Sequence, residues 1–346
     1  MINSSLTRFA LALVIGCAGG ILFSAIHFPL PWLLGALCAT LLASLLGAPI
    51  EVSKSIRNYI IIVIGIMLGG TFTPEVIDQV PNWIPTLTAA VVYVAVITTI
   101  GQIYCRKIAG MDAVTALFSG LPGGLSEMSI MGEEAGADIK KLTLTHACRV
   151  VSVLLFIPFV LTYWFDLEKI SLTNDIQYWS IQETLTLVAI AVVGMILAKL
   201  CRIPAHRLTG PLILSAAVHL SGAITSEPPE LASIIIQLIL GSALGSRFFG
   251  ISFKEVGRVI FLAMGMTVLM LSVTFSSAYL LSLLTGYSFE ALILALSPGG
   301  FAEMALAALS LGVDPAFVTT HHAMRLFAIV FVTPIIIKVI LRKGAS

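Results

Sequence analysis

Long apolar stretches, separated by short polar connections, run along almost the whole of this 346-residue chain. Ten of them are long enough to cross a membrane as helices, because a hydrocarbon layer of about 30 Å needs roughly 20 apolar residues. Two more apolar stretches, 113–132 and 289–311, are each interrupted by Pro-Gly-Gly. The pattern predicts an all-α polytopic membrane protein with two broken segments. The unbroken stretches are 8–24, 31–50, 57–73, 83–105, 141–164, 182–200, 207–223, 231–248, 257–283 and 316–341.

The same pattern occurs twice, about 176 residues apart. Between 110 and 158, 13 of 49 positions are identical to the residue 176 positions later, and most of these are Gly, Pro, acidic residues, His or Arg. In a chain rich in Leu, Ile and Ala, chance identities would fall on the aliphatic residues instead. We therefore predict a duplicated protein. Its parts are repeat 1 at 1–165, an external linker at 166–181 and repeat 2 at 182–346.

The composition indicates that most of this chain lies in lipid. Hydrophobic residues make up 58% and charged residues 11%, whereas soluble domains carry about 25% charged residues. The five cysteines have no CxxC spacing and no close pairs, so we expect neither disulfides nor a cysteine metal site. With a net charge of +1 and no basic run, the chain lacks an electrostatic surface for nucleic acid.

The positions of Lys and Arg predict which loops face the cytoplasm, because cytoplasmic loops carry an excess of these residues. Apart from Arg149 and Arg325, which lie inside apolar segments, seventeen remain, and twelve full crossings would divide them nine to eight. If each Pro-Gly-Gly segment instead turns back to the side it entered from, sixteen face the cytoplasm and only Lys169 faces out. We therefore predict five crossings and one re-entrant hairpin in each repeat, with repeat 2 inverted and both termini in the cytoplasm.

Inverted repeats with broken membrane segments are typical of secondary transporters, whose substrate site lies near the midplane between the repeats. A Pro-Gly-Gly turn at membrane depth leaves backbone groups that lipid cannot satisfy, so the turn must line a cavity or be buried in protein. Half-helix N-termini offer free N–H groups and partial positive charge, which suit an anion. We therefore predict that Gly123, Gly124, Gly299 and Gly300 take part in binding a solute.

The doubled motifs resemble those of the AbrB family of bacterial inner-membrane proteins, and the resemblance covers nearly the whole chain. It implies two copies of one membrane module and a location in the bacterial inner (plasma) membrane. Family members have carried the labels of ammonia monooxygenase and of regulator of gene expression. The chain is also distantly similar to the cation/proton antiporter and anion transporter group. The motifs are Pro122-Gly-Gly-Leu-Ser-Glu-Met128 with Asp138, His146 and Arg149, and Pro298-Gly-Gly-Phe-Ala-Glu-Met304 with Asp314, His322 and Arg325.

Glu127 and Glu303 are the sharpest candidates for chemistry. A carboxylate inside a membrane is costly, and it could contact the substrate, bind Na⁺ or carry a coupling proton. Each Glu also falls in the first turn of a predicted half-helix, where it could simply cap free N–H groups. Both interpretations remain open.

His146 with Arg149, and His322 with Arg325, have i,i+3 spacing and therefore share one helix face. We expect each Arg to meet Glu127 or Glu303, or else a substrate anion, because Arg would not face lipid. The alternative is a permanent salt bridge that fixes the hairpin to the helix. The histidines either relay protons or are hydrogen-bonded structural residues.

Other duplicated residues favour structural roles. We predict that Asp138 and Asp314 cap the last helix of each repeat and that Pro158 and Pro334 kink these helices. The glycine pairs at 65/69 and 241/245 predict close helix packing.

Taken together, these patterns predict secondary transport of a small polar or anionic solute, coupled to H⁺ or Na⁺ and without another cofactor. The expected partners are this solute and lipid, and a homodimer through helices outside the hairpins is compatible with the architecture. The alternative is a membrane-embedded sensor that affects gene expression. A metal-dependent monooxygenase is disfavoured, because the six histidines lack HxxxH and ExxH spacing, and we do not expect an enzyme.

Overall fold

The structure is a computed structural model that describes residues 5–165, 181–222, 224, 230–250 and 253–344. All regular elements in these ranges are helices, so the predicted all-α membrane-type fold is confirmed. The first half contains α1 (Ser5–Ala25), α2 (Pro31–Leu45), α3 (Lys54–Gly69), α4 (Pro74–Gln79), α5 (Ile84–Lys107), α6 (Ala113–Gly120), α7 (Leu125–Glu134) and α8 (Ile139–Trp164). The second half contains α9 (Ile181–Leu200), α10 (His206–Leu220), α11 (Glu230–Gly245), α12 (Phe253–Thr285), α13 (Phe289–Leu296), α14 (Phe301–Ser310) and α15 (Pro315–Gly344).

The two halves have the same order of long helices and broken segments. Gly110 and Gly286 both have positive φ, of 67° and 75°, just before the first half-helix of the broken segment. Glycine adopts this left-handed conformation without steric cost. Two residues later, Asp112 and Ser288 cap α6 and α13 with their side chains. The predicted linker lies outside the described residues, apart from residue 181.

Seven helices in the described part of the chain are long and apolar enough to cross a membrane. Helices α2, α3 and α10 have 15 or 16 residues and are shorter than the roughly 20 residues of a full crossing. The chain is thus a multi-pass membrane-type protein, and ten crossings stay a prediction. The seven helices are Ser5–Ala25, Pro74–Lys107, Ile139–Trp164, Gln182–Leu200, Leu231–Phe248, Gly257–Thr285 and Pro315–Pro334.

The chain forms two compact units, and each draws elements from both repeats. Unit 1 comprises Met1–Asp78, Pro158–Phe253 and Leu309–Ala316, and it contains α1–α4 and α9–α11. Unit 2 comprises Gln79–Ile157, Lys254–Ala308 and Phe317–Ser346, and it contains α5–α7, α12–α14 and most of α8 and α15. The repeats are units of sequence, whereas the compact units cut across them. Both broken segments belong to unit 2.

Within unit 1, glycines allow helices of different repeats to pack backbone to backbone. A Cβ added at Gly65 of α3 would overlap main-chain atoms of Leu208 on α10. A Cβ added at Gly241 of α11 would overlap the carbonyl of Leu33 on α2. The predicted role of these glycines in close packing is therefore confirmed.

Within unit 2, α5 and α12 pack antiparallel. The hydroxyl groups of Tyr93 and Thr274 are 2.7 Å apart, and farther along α5 the thiol of Cys105 donates to the Met266 sulfur at 3.4 Å. The residue number thus rises along α5 while it falls along α12. These two helices occupy the same place in the two repeats.

Candidate functional site

Each broken segment is a pair of half-helices joined by a four-residue turn. Helix α6 begins after Asp112, whose Oδ1 accepts hydrogen bonds from the N–H groups of Val114 (3.0 Å) and Thr115 (2.9 Å). It ends at Gly120, where the backbone passes close to Gly101 of α5. Residues 121–124 form the turn before α7. In the second copy, residues 297–300 join α13 to α14.

Two side chains of α8 hold the first hairpin. The guanidinium of Arg149 donates to the carbonyl oxygens of Leu121 (2.8 Å) and Gly123 (3.2 Å). The Nε2 atom of His146 lies 2.8 Å from the carbonyl oxygen of Phe118, and its Nδ1 lies 2.9 Å from Arg149 Nη2. Both side chains are completely buried.

Helix α15 holds the second hairpin in the same way. Arg325 donates to the carbonyl oxygens of Ser297 and Gly299, the latter at 2.9 Å. His322 Nε2 lies 2.9 Å from the carbonyl oxygen of Leu294. Five corresponding positions of each repeat therefore make three corresponding hydrogen bonds, whereas the contact between His146 Nδ1 and Arg149 has no counterpart because His322 Nδ1 has no partner.

The histidines satisfy a carbonyl in the last turn of each first half-helix, and the arginines satisfy two carbonyls of the turn that follows it. The last carbonyls of a helix have no partner within it, and an unsatisfied polar group in hydrocarbon costs several kcal/mol. The sequence predicted a carboxylate or a substrate anion as the partner of Arg149 and Arg325. The described hydrogen bonds of Arg149 and Arg325 go to main-chain oxygens and, for Arg149, also to the His146 ring, so a carboxylate or anionic partner stays a prediction.

The glutamates fold back over the glycine that precedes each second half-helix. A Cβ added at Gly124 would overlap Oε2 of Glu127 and lie 3.3 Å from its Cδ. At Gly300 the same Cβ would lie 2.7 Å from Cδ of Glu303. The carboxylate thus lies at the N-cap position, as in a capping box, and both glutamates are partly buried. The geometry favours the capping interpretation for this conformation.

The first glycine of each motif makes room for a methionine. A Cβ at Gly123 would lie 2.8 Å from the sulfur of Met128, and a Cβ at Gly299 would lie 2.9 Å from that of Met304. Both distances are shorter than a van der Waals contact. The first glycine therefore lets the methionine side chain pack against the turn.

The histidines are hydrogen-bonded structural residues in this conformation, as one interpretation of the sequence predicted. Besides its carbonyl partner, His322 stacks on Phe301 with 6.0 Å between ring centroids. His321 lies between the carbonyl oxygen of Phe317 (2.8 Å) and the hydroxyl of Thr86 (2.9 Å).

The predicted caps of the last helices are confirmed. Oδ1 of Asp138 accepts from the N–H of Lys141 at 3.1 Å, and Oδ1 of Asp314 accepts from that of Ala316 at 2.9 Å. The hydrogen bonds from Lys141 and its positive charge hold the pKa of the Asp138 carboxyl below its usual value. Pro158 and Pro334 lie inside α8 and α15, and the expected kinks stay a prediction.

Tyr93 is a site residue that the sequence did not single out. It is 5% exposed, and its hydroxyl lies 2.7 Å from that of Thr274 on α12. Arg149 and Arg325, which hold the two hairpins, are likewise buried within unit 2. The residue 176 positions after Tyr93 is Leu269, and the duplication therefore gave no signal for this tyrosine.

Comparisons with known proteins agree with the doubled motifs. A family model described as "Transition state regulatory protein AbrB" matches residues 32–341. The chain is 27% identical over 347 positions to "Uncharacterized protein YhjN" of Bacillus subtilis (strain 168), covering 93% of this chain and 90% of that protein. It is 24% identical over 322 positions to "Putative regulator AbrB" of Escherichia coli (strain K12), covering 92% of each.

Proposed function

This chain belongs to the AbrB family, and we propose that it is a secondary transporter of a small polar or anionic solute, coupled to H⁺ or Na⁺. The solute binds in unit 2, in the region that the turns of the two hairpins share. The observation that carries the proposal is that two buried arginines of unit 2, Arg149 and Arg325, each hold the turn of a broken helix.

An anion would offset the cost of burying two cations in unit 2. Burying an ion costs free energy unless a partner compensates for its lost hydration, and Arg149 and Arg325 are buried with neutral carbonyl oxygens as partners. Nε of Arg149 is buried without a hydrogen-bond partner, as are the hydroxyls of Thr98 and Ser119. Thr98 lies where α5 meets the end of α6, because a Cβ added at Gly120 would lie 3.2 Å from its carbonyl oxygen. Buried unsatisfied polar groups commonly mark a functional site.

The antiparallel packing of α5 and α12 supports inverted repeats. These helices correspond in sequence, and two corresponding helices of parallel repeats would run in the same direction. Inverted repeats with broken helices place the ends of half-helices around a common site. This arrangement suits alternating access better than it suits an enzyme with one fixed entrance.

The glutamates are the proposed sites of the coupling ion. Glu127 and Glu303 cap the second half-helices next to the turns, and a cap that exchanges its N–H partners for Na⁺ or a proton would link ion binding to the hairpin. We favour Glu303, because its neighbourhood in sequence carries fewer charges than that of Glu127, which has Glu133, Glu134, Lys140 and Lys141 nearby.

A membrane-embedded sensor is the second candidate, because the names of the family and of the Escherichia coli relative describe regulators. A sensor would bind a solute in the same region without moving it across the membrane. A metal enzyme has less support, because ring nitrogens of His146, His321 and His322 already contact carbonyl oxygens.

A two-step experiment tests the proposal. A thermal-shift screen of a metabolite library against the purified chain identifies a solute, since a ligand stabilises the folded state by mass action. Uptake of that solute into proteoliposomes is then measured with and without H⁺ or Na⁺ gradients. Gradient-driven uptake supports transport. Binding without uptake under any gradient would favour the sensor.

Substitution of the central tyrosine tests the location of the site. We expect Tyr93→Phe, which removes one buried hydroxyl, to weaken solute affinity roughly tenfold. Tyr279→Phe is the matched control, because Tyr279 is 61% exposed on α12. Equal losses in the two variants would place the solute elsewhere.

Substitution of the glutamates tests coupling. If they only cap, Gln retains an acceptor oxygen and costs roughly 0.3–1 kcal/mol of charge–dipole stabilisation, so uptake persists in both variants. If Glu303 carries the coupling ion, Glu303→Gln stays folded and loses coupled uptake, whereas Glu127→Gln keeps more of it. Wild-type uptake in both variants would leave these residues as caps.

A further inference from the structure

A cavity of about 320 Å³ lies between α5, α8 and α12 within unit 2. Its charged lining residues are Lys141, near the beginning of α8, and Arg258, near the beginning of α12. Cys105, Leu262 and Met266 form part of an apolar wall. The cavity thus combines a basic mouth with a hydrocarbon-like interior.

A buried hydroxyl in this lining has no partner. Thr145 lines the cavity, is 2% exposed and has an Oγ1 atom without a hydrogen bond. A buried hydroxyl costs free energy when it is left unsatisfied. An acceptor atom inside the cavity would satisfy it.

The charges at the mouth leave an excess of positive charge. Lys141 forms an ion pair with Asp138 at 3.2 Å, and both side chains are partly exposed. Arg258 adds a second positive charge at the opposite wall. An anionic group at the mouth would therefore meet two cations and one carboxylate.

The duplication provides an internal comparison, because the equivalent place at the other ends of α5 and α12 is filled. Lys141, Thr145 and Val259 correspond to Phe317, His321 and Trp83, 176 positions away. The rings of Trp83 and Phe317 pack edge to face at 5.4 Å, and Tyr287 stacks on Phe317 at 5.2 Å. Trp83 and Phe317 are at most 2% exposed. One end thus has a cavity with a basic mouth, and the other has an aromatic plug.

We infer that this cavity binds an amphipathic anion, with a phosphate or carboxylate head between Lys141 and Arg258 and an apolar chain against Leu262 and Met266. The head accepts a hydrogen bond from Thr145. The ligand comes either from water, as a free amphiphile, or from the bilayer, as an anionic lipid. The inference does not depend on the proposed transport of a solute at the hairpins.

Titration with hexyl phosphate tests the site. The full chain is placed in phosphatidylcholine nanodiscs, and binding is measured by isothermal titration calorimetry. We expect saturable binding, weakened roughly tenfold or more by Arg258→Gln and by Lys141→Gln, because each removes a charge-assisted contact. Lys140→Gln is the matched control, since Lys140 is the exposed neighbour on the same helix and does not line the cavity.

Two further variants separate the cavity from general surface charge. Val259→Trp introduces the residue of the filled copy, and we expect it to abolish binding without changing the net charge. Thr145→Val removes only the unpartnered hydroxyl and should weaken binding, and it keeps the test valid if the Trp variant does not fold. Unchanged affinity in Thr145→Val and in both charge variants would overturn the inference.

A second series of nanodiscs identifies the source of the ligand. Binding of hexyl phosphate to the wild type is measured in nanodiscs that contain phosphatidylglycerol and, as a reference, in detergent without this lipid. If binding is suppressed in the nanodiscs but retained in detergent, the site takes a lipid head. If binding is unaffected, the site takes a free amphiphile. No binding of hexyl phosphate in phosphatidylcholine nanodiscs, together with no retention of phosphatidylglycerol by mass spectrometry, would show that the cavity binds neither.

Discussion

At the residue scale, the two buried arginines hold the backbone of the hairpin turns. Arg149 and Arg325 each donate to two carbonyl oxygens of a hairpin turn, and the planar guanidinium can reach two acceptors at once. A lysine carries the same charge but only a single ammonium group. The charge and the shape of the arginine are therefore both needed where a helix is broken.

Removing this clamp should destabilise the protein. We expect Arg149→Gln to lower the free energy of unfolding by roughly 3–6 kcal/mol, because two carbonyls lose charge-assisted bonds worth about 1.5–3 kcal/mol each. Arg149→Lys should recover part of the loss. Thermal unfolding in detergent measures the effect, with Lys107→Gln, an exposed residue of α5, as the control. Equal midpoints for Arg149→Gln and the control would contradict a clamping role.

At the element scale, helices of different repeats meet through glycines. Gly241 of α11 contacts α2, and Gly65 of α3 contacts α10. The matching positions of the two repeats thus make reciprocal contacts in unit 1. Close backbone approach takes the place of the hydrophobic effect, which does not drive association of helices in lipid.

A single methyl group should disturb this packing. We expect Gly241→Ala to lower the free energy of unfolding by roughly 1–3 kcal/mol, as overpacking typically does, because the added Cβ overlaps the Leu33 carbonyl. Gly257→Ala is the matched control, since nothing lies within 4 Å of a Cβ at that helical glycine. Alanine should be neutral or stabilising there. The interface assignment fails if both variants behave alike in thermal unfolding.

At the scale of the whole molecule, the repeats and the compact units are different divisions of the chain. Each repeat gives its first helices to unit 1 and its broken segment with the flanking helices to unit 2. Each compact unit therefore contains helices of both repeats.

The orientation in the membrane follows from the charges and can be tested directly. A single cysteine at position 172, in a background without native cysteines, should react with an impermeant maleimide added outside, because the linker is predicted to be external. Lys107→Cys should react only from the inside. The position 172 lies outside the described residues, so the expectation rests on charge alone. Labelling of position 172 only from the inside would favour twelve crossings.

The apolar pattern and the duplication predicted most of the fold. The length of the apolar stretches predicted the helices. With only 11% charged residues, most of the chain lies in lipid, where a helix pairs the backbone N–H and C=O groups internally. The Pro-Gly-Gly sequences predicted the breaks, and Asp138 predicted a helix cap. These features depend on neighbours within a few residues, which sequence spacing describes well.

Contacts between distant residues had to come from the tertiary structure. The carbonyl partners of Arg149 lie 26 and 28 residues away, and the hydroxyl of Tyr93 meets that of Thr274, 181 residues away, because α5 packs against α12. The position of Arg149 in an apolar helix predicted that it is buried, but the sequence did not identify its hydrogen-bond partner. The division into two units and the difference between the basic cavity and its aromatic counterpart likewise follow from packing. The two copies share one local pattern and fold alike. The side chains from distant parts of the chain that surround each copy differ, and they decide what each copy can bind.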